Sequence, residues 1–356
     1  MSDGKNLIST NKDVPVMHIP EFPNLKDSVE YVLTHNAPKE NFPLATISTN
    51  SNQLIFNCCH TFGDGSHLKR IVSELQNPTN TPLPKLPTPI LTTFSEELSR
   101  LSPLSHDYRD PMFTHLKNQT PEKADPTDVF QNIVSKFPAN TLSCYHNGKI
   151  SGLTEHISAS LVLSAKAIGG LSDGFGTQNA VDLRPFLPKH LQKSLGIIDH
   201  VGMVIMTSQK PKTFGDLKKD FRATLNDAIS RKLFFNHMKW DILHYCSDEG
   251  VKEELPLQGL MVLLSNVGQV HIKKPITDVM MRVDMEEPYS VASIISYSVI
   301  SEKENSVRTH LTYGAKGTTK HYMERLNKVF EYAMRNFQPS LEIDKAIDIL
   351  RKIDKK

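Results

Sequence analysis

Apolar and polar positions fall along this chain in short blocks that name strands and helices one at a time. Leu54 to Cys59 is an apolar run between the polar cluster Ser48-Thr49-Asn50-Ser51-Asn52 and the glycines Gly63 and Gly65, the pattern of a buried strand. Leu44 to Thr49 predicts a second strand, and the polar turn between the two makes a hairpin. Leu68, Ile71, Val72 and Leu75 follow at helical spacing, with Ser66 placed to cap the helix. Ahead of the hairpin, Leu25 to Leu33 predicts one short helix. Behind it, Asn77 to Pro89 reads as a proline-rich loop and Leu91 to Leu101 as a short helix. Ser102 to Asn140, mixed, polar and broken by prolines, reads as a crossover.

The second half is more regular. Thr141 to His146 predicts a strand, and Thr154 to Ile168 a helix stopped by Gly169-Gly170. Gln178 to Leu183, Val201 to Ser208 and Leu260 to Leu264 predict strands, the last delivering Ser265 and Asn266 to its end. Thr213 caps a helix through Leu233, Val291 to Ile300 pairs with Val307 to Tyr313 in a hairpin, and Thr319 to Arg335 is a long helix. In the tail, Leu341 to Ile353, apolar residues recur at Ile343, Ala346, Ile347, Leu350 and Ile353 ahead of a basic end. That stripe suits a membrane surface, or packing on the body or a partner. The division that follows is a first lobe over 1–101, a crossover over 102–140, a second lobe over 141–340 and an amphipathic tail helix over 341–356.

Composition narrows the function classes. A chain of 356 residues buries a sizeable core, and 41 basic against 39 acidic residues, net +2, give no ground for a nucleic-acid partner. The four cysteines are too few and too unevenly placed for a disulfide framework and lack zinc-site spacing, so no metal and a reducing, cytoplasmic setting are expected. Met1 to Lys12 is polar, without a leader-type apolar core, and no run is long enough to span a membrane. Gly169 to Gly176 lacks the Lys-Ser or Lys-Thr of a phosphate loop, and no Gly-x-Ser-x-Gly elbow marks a serine hydrolase.

The chemistry gathers where the first apolar strand ends. His60 stands at that end, and an imidazole is the side chain best suited to take a proton near neutral pH. Gly63-Asp64-Gly65 allows a tight turn, from which Asp64 folds back to orient His60 or pairs with a distant cation. His67, on the first turn of the helix behind it, reads as structural. A zinc site from His60, Asp64 and His67 is disfavoured, because the three straddle a strand-turn-helix break with no fourth ligand.

His60-Thr-Phe-Gly-Asp64-Gly65 resembles the HxxxDG motif of the chloramphenicol acetyltransferase-like superfamily, which takes in plant BAHD acyltransferases, peptide-synthetase condensation domains and fungal alcohol acetyltransferases. His67 extends it to HxxxDGxH. Asn179-Ala-Val-Asp182-Leu-Arg184-Pro resembles the N-VD-R segment of that superfamily's second lobe, and Leu264-Ser265-Asn266-Val267-Gly268 its SN-G strand end. The likeness runs from about Pro43 onward, and with no DFGWG motif it is most similar to the fungal alcohol acetyltransferase branch.

The resemblance implies an α/β fold of the α+β type in two lobes, with mixed sheets flanked by helices and an active site in a tunnel between the lobes. The stretch ahead of His60 is short for such a protein, so the first lobe reads as abbreviated. The implied activity is acyl-CoA-dependent O-acyltransfer, ester synthesis in which His60 is the general base and an alcohol, or an amine such as a sphingoid base, accepts acetyl from acetyl-CoA. Asp64 and Gly65 complete the catalytic turn. Ser265, Asn266 and Gly268 are the candidates for binding substrate and the oxyanion, and Asp182 with Arg184 forms a structural pair. Acetyl-CoA enters as co-substrate, with no permanently bound cofactor. The protein is expected to be a monomer in the cytoplasm, with peripheral contact to endoplasmic reticulum or lipid droplets as the membrane option. The alternative is an inactive, N-terminally shortened relative that binds CoA, lipid or a protein.

Overall fold

A computed structural model describes residues 14–35, 45–60, 63–78, 90–103, 112–117, 130–189, 192, 201–245, 259–283, 291–314 and 318–356. The polar start, most of the proline-rich stretch after 77, parts of the crossover, and Thr61 and Phe62 of the motif lie outside them. The chain divides into two compact units. The first comprises 1–95, 182–201 and 271–281, and the second 96–181, 202–270 and 282–356. Two segments that a boundary at 101 assigns to a second lobe thus belong with the first unit.

In the first unit, β1 (Val16–His18), β2 (Ala45–Thr49) and β3 (Leu54–Cys58) form a three-stranded sheet with α1 (Leu25–His35) between β1 and β2 in the chain. β1 runs parallel to β2, and β2 and β3 are the expected hairpin, in the register Ala45 opposite Cys58. α1 lays Val32 on Ile19 and Ile55, so one face of the sheet is closed by an apolar cluster. α2 (Gly65–Gln76) starts six residues beyond the end of β3's apolar run, and α3 is a single turn (Ile90–Thr93).

The second unit opens with α4 (Ser95–Arg100), β4 (His115–Lys117) and β5 (Phe130–Pro138). β5 falls inside the expected crossover, and the strand expected over 141–146 shrinks to a two-residue ribbon of β6 (Tyr145–His146) and β7 (Lys149–Ile150). β5 is a strand despite its polar residues because Ser135 is satisfied by Asn327 and Glu331, which lets a mixed segment pair in the sheet. Next come α5 (Leu153–Ala167), β8 (Phe175–Asp182), β9 (Val201–Ser208), α6 (Phe214–Ser230), α7 (Leu233–Tyr245), β10 (Gly259–His271), β11 (Val291–Ile300), β12 (Asn305–Gly314), α8 (Lys320–Asn336) and α9 (Ile343–Asp354). Seven strands make one sheet in the order β5-β12-β11-β10-β8-β9, with β4 paired to the first residues of β10.

Helix α5 is apolar or small on every side and is buried along nearly its whole length, the signature of a helix enclosed by other elements. It packs on α6, α8 and α9. Each fully buried Ile, Leu or Val on it contributes about 1.5–3 kcal/mol. Gly152 precedes it at φ +63, where a Cβ would stand 2.5 Å from the Glu155 carboxylate, so glycine is required there. α9 buries Ile343, Ala346 and Leu350, and Arg325 of α8 holds Asp354 at its end with two bonds of 2.8 and 2.5 Å. The apolar stripe of the tail is therefore occupied by the body of the second unit.

Candidate active site

β3 ends at Cys58, and His60 follows on an exposed turn closed by the Gly63 amide donating to the His60 carbonyl at 3.2 Å. The turn runs directly into α2, whose N-cap is Asp64 and not Ser66. Asp64 has extended backbone angles (φ −99, ψ 178) three residues before His67, so its Oδ1 accepts from the His67 amide at 2.9 Å. A carboxylate also meets the positive end of the helix dipole better than a hydroxyl does. Ser66 is released for another bond and donates to Asp182 Oδ2 at 3.0 Å.

The second oxygen of Asp64 holds Arg184 at 2.9 Å, and both side chains are buried, at 1% and 2% exposure. Arg184 reaches Asp182 Oδ1 through its guanidinium at 2.9 Å, and its backbone amide donates to the same oxygen at 3.0 Å. Asp182 itself is 39% exposed. One buried cation thus lies between two carboxylates, a geometry that offsets the large cost of removing a guanidinium from water. It ties the motif turn to a segment 116 residues away in sequence. With its carboxylate committed to an amide and a guanidinium, Asp64 is occupied as a clamp of the turn.

Behind the clamp lies His67, buried, with its pKa held below the usual imidazole value chiefly by burial and then by Arg184 and Arg70, against the pull of Asp64. Arg70 donates to the Gln192 carbonyl, and half-buried Lys69 is also pushed down, first by burial. Lys69 and Arg70 join this charged group without any signal in the local pattern, where they read as solvated helix positions. Their lowered values follow from the α2 face they occupy.

Ser265 and Asn266 lie elsewhere than expected. β10 continues through them to His271, so they sit within the strand and not at its end. The reason is local: Asn266 Nδ2 donates to Thr154 Oγ1 at 2.9 Å and its Oδ1 accepts the Gly268 amide at 3.1 Å, while Gly268 takes the irregular angle, φ +84. Asn266 is thereby engaged with the start of α5. Ser265 is half-buried, its carbonyl accepts from Ser296, and its hydroxyl makes no hydrogen bond among the described residues. Among the described residues no group of three or more His, Cys, Asp or Glu side chains is arranged to hold a metal ion, and no helix is long and apolar enough to cross a membrane.

A scan against protein-family models and a search of curated proteins give no match. Solved structures do match. The epimerization domain from the third module of tyrocidine synthetase B aligns with a TM-score of 0.55 at 11% identity, over 97% of this chain and 82% of that one. The trichothecene 15-O-acetyltransferase of Fusarium sporotrichioides aligns with a TM-score of 0.57 at 10% identity, over 90% and 76%. The SgcC5 protein of Streptomyces globisporus gives 0.52 at 12%, over 93% and 81%. At such identities the likeness is one of fold. The chain has the mixed α/β, chloramphenicol acetyltransferase-like fold shared by condensation-type domains and this acetyltransferase.

Proposed function

We propose that the protein is an acyltransferase that moves acetyl from acetyl-CoA to the hydroxyl of an alcohol, or to an amine, with His60 as general base. The observation that carries the reading is exposed His60, whose carbonyl accepts from the Gly63 amide directly ahead of the buried Asp64–Arg184–Asp182 clamp. A general base needs access to its proton and a fixed backbone beneath it, and the turn has both. The fold shared with an O-acetyltransferase and condensation-type domains supports the same class.

In the proposed reaction His60 takes the acceptor's proton as its oxygen or nitrogen attacks the thioester carbonyl. The tetrahedral intermediate collapses with loss of the C–S bond, and the proton passes to the CoA thiolate. Gly65 at the start of α2, or alternatively the Ser265 hydroxyl, is the proposed oxyanion donor. Asn266 and Gly268 shape the strand beside Ser265, since their own polar groups are engaged with Thr154 and with each other. Asp64 acts on the turn and not on substrate.

The test is release of free CoA from acetyl-CoA by purified protein across a panel of alcohols and long-chain amino alcohols, with His60→Ala in parallel. Turnover that falls about 10²- to 10⁴-fold in the variant supports the assignment. Equal inertness of both, with acetyl-CoA still bound, would leave a non-catalytic binding relative as the account.

A further inference from the structure

The turn that presents His60 rests on a second histidine. A Cβ built on Gly63 stands 3.1 Å from Cδ2 of the His67 ring and 3.4 Å from Cys58 Sγ, so the backbone at Gly63 lies against the imidazole and a methyl group there would push the ring away by a few tenths of an ångström. The same Gly63 donates its amide to the His60 carbonyl. Its neighbour Asp64 is fixed from two sides, by the His67 amide and by Arg184, which holds Gly63 between Cys58 and the first turn of α2. His67 is 7% exposed and contributes its ring to one side of this seat and its backbone amide to the other.

We propose that His67 is a positioning residue for His60: its ring is the floor on which Gly63 is set, and the Gly63 amide in turn holds the His60 carbonyl. The inference rests on the reading of His60 as the general base. Burial, followed by Arg184 and Arg70, favours the uncharged form of His67 against the opposing pull of Asp64, so the floor tends to one protonation state near neutrality. A base displaced by an ångström loses its line to the acceptor proton, which fixes the size of the expected effect.

Two readouts test it on the full chain. His67→Ala and Gly63→Ala should each lower kcat about 10- to 100-fold with the KM for acetyl-CoA little changed. The double variant should be no slower than the slower single one, since both act on the same contact. His67→Gln, which keeps a flat polar group, should recover most of the rate. The second readout needs no turnover: the His60 Cε1–H resonance should shift or broaden in His67→Ala and stay near its wild-type position in His67→Gln. Multiplied losses in the double variant, or a folded His67→Ala with an unmoved His60 resonance, would overturn the proposal. If His67→Ala does not fold, Gly63→Ala decides by the same resonance. If the wild type transfers no acyl group, a shifted resonance still upholds the seat while the acyltransferase reading fails.

Discussion

The Arg184 clamp of the first unit and the core imidazoles of the second bury polar groups by different means. The first keeps a charge inside and neutralises it, with Arg184 between Asp64 and Asp182. The second keeps imidazoles inside and leaves them uncharged: His156 Nε2 donates to the Met334 carbonyl at 3.1 Å with the Ser143 hydroxyl 3.3 Å away, and His310 stacks on Tyr297 with a 3.0 Å bond. Burial pushes His156 down to about 4 and His310 to about 3. The contrast separates a clamp whose strength depends on both partners being present from a core whose strength depends on protons staying away.

The sharpest way to break the contrast is to remove the clamp's cation. Arg184→Leu strands the Asp64 carboxylate and is expected to cost about 3–5 kcal/mol, measured by urea unfolding. Adding Asp64→Asn should return part of that loss, because the stranded charge is then gone.

Acid is the next probe, directed at the other unit. Unfolded histidine takes up a proton as pH falls below 6.5, whereas folded His156 does so only near 4. Between those values the unfolded chain binds more protons, so stability is fully present above pH 6.5 and is lost as pH falls towards 4, by about 3 kcal/mol. His310 extends the loss to about pH 3. His156→Gln should flatten the upper part of the curve in a denaturation series against pH.

The smallest effect compares two helix caps. Thr213 caps α6 in a reciprocal capping box with Asp216 and has no buried partner, so Thr213→Ala should cost about 1 kcal/mol. Asp64→Ala removes a cap as well, yet should cost several times more in the same unfolding assay, because Arg184 loses its partner with it.

Much of the fold was legible from periodicity. The Val201–Ser208 strand, the α6 cap at Thr213, the β11–β12 hairpin and α8 behind Thr319 fall where the pattern puts them, since the strand alternates, the helices repeat along one buried face and the hairpin is two runs about a polar turn. β5 was not, because its polar positions are satisfied by side chains of α8 nearly two hundred residues away, which no local window contains. At the candidate site the residue types were legible and their bonding was not. Ser66 looked like the cap because it is nearest the apolar repeat, but Asp64 has the reach and the charge. Ser265 and Asn266 looked like a strand end because Ser-Asn often turns, but Thr154 gives Asn266 a partner within the strand.

The discontinuity of the first unit bears on how the protein is made. Ser66 meets a partner that lies 116 residues downstream, and the segment 271–281 comes later still. At ribosomal speeds the motif turn waits on the order of ten seconds for Asp182 and Arg184 to emerge. During that wait Asp64 stays hydrated, and the nascent turn has no cation to close on. Closure of the small unit is thus late relative to synthesis of its motif turn, and a truncation before Arg184 yields a turn without its keystone.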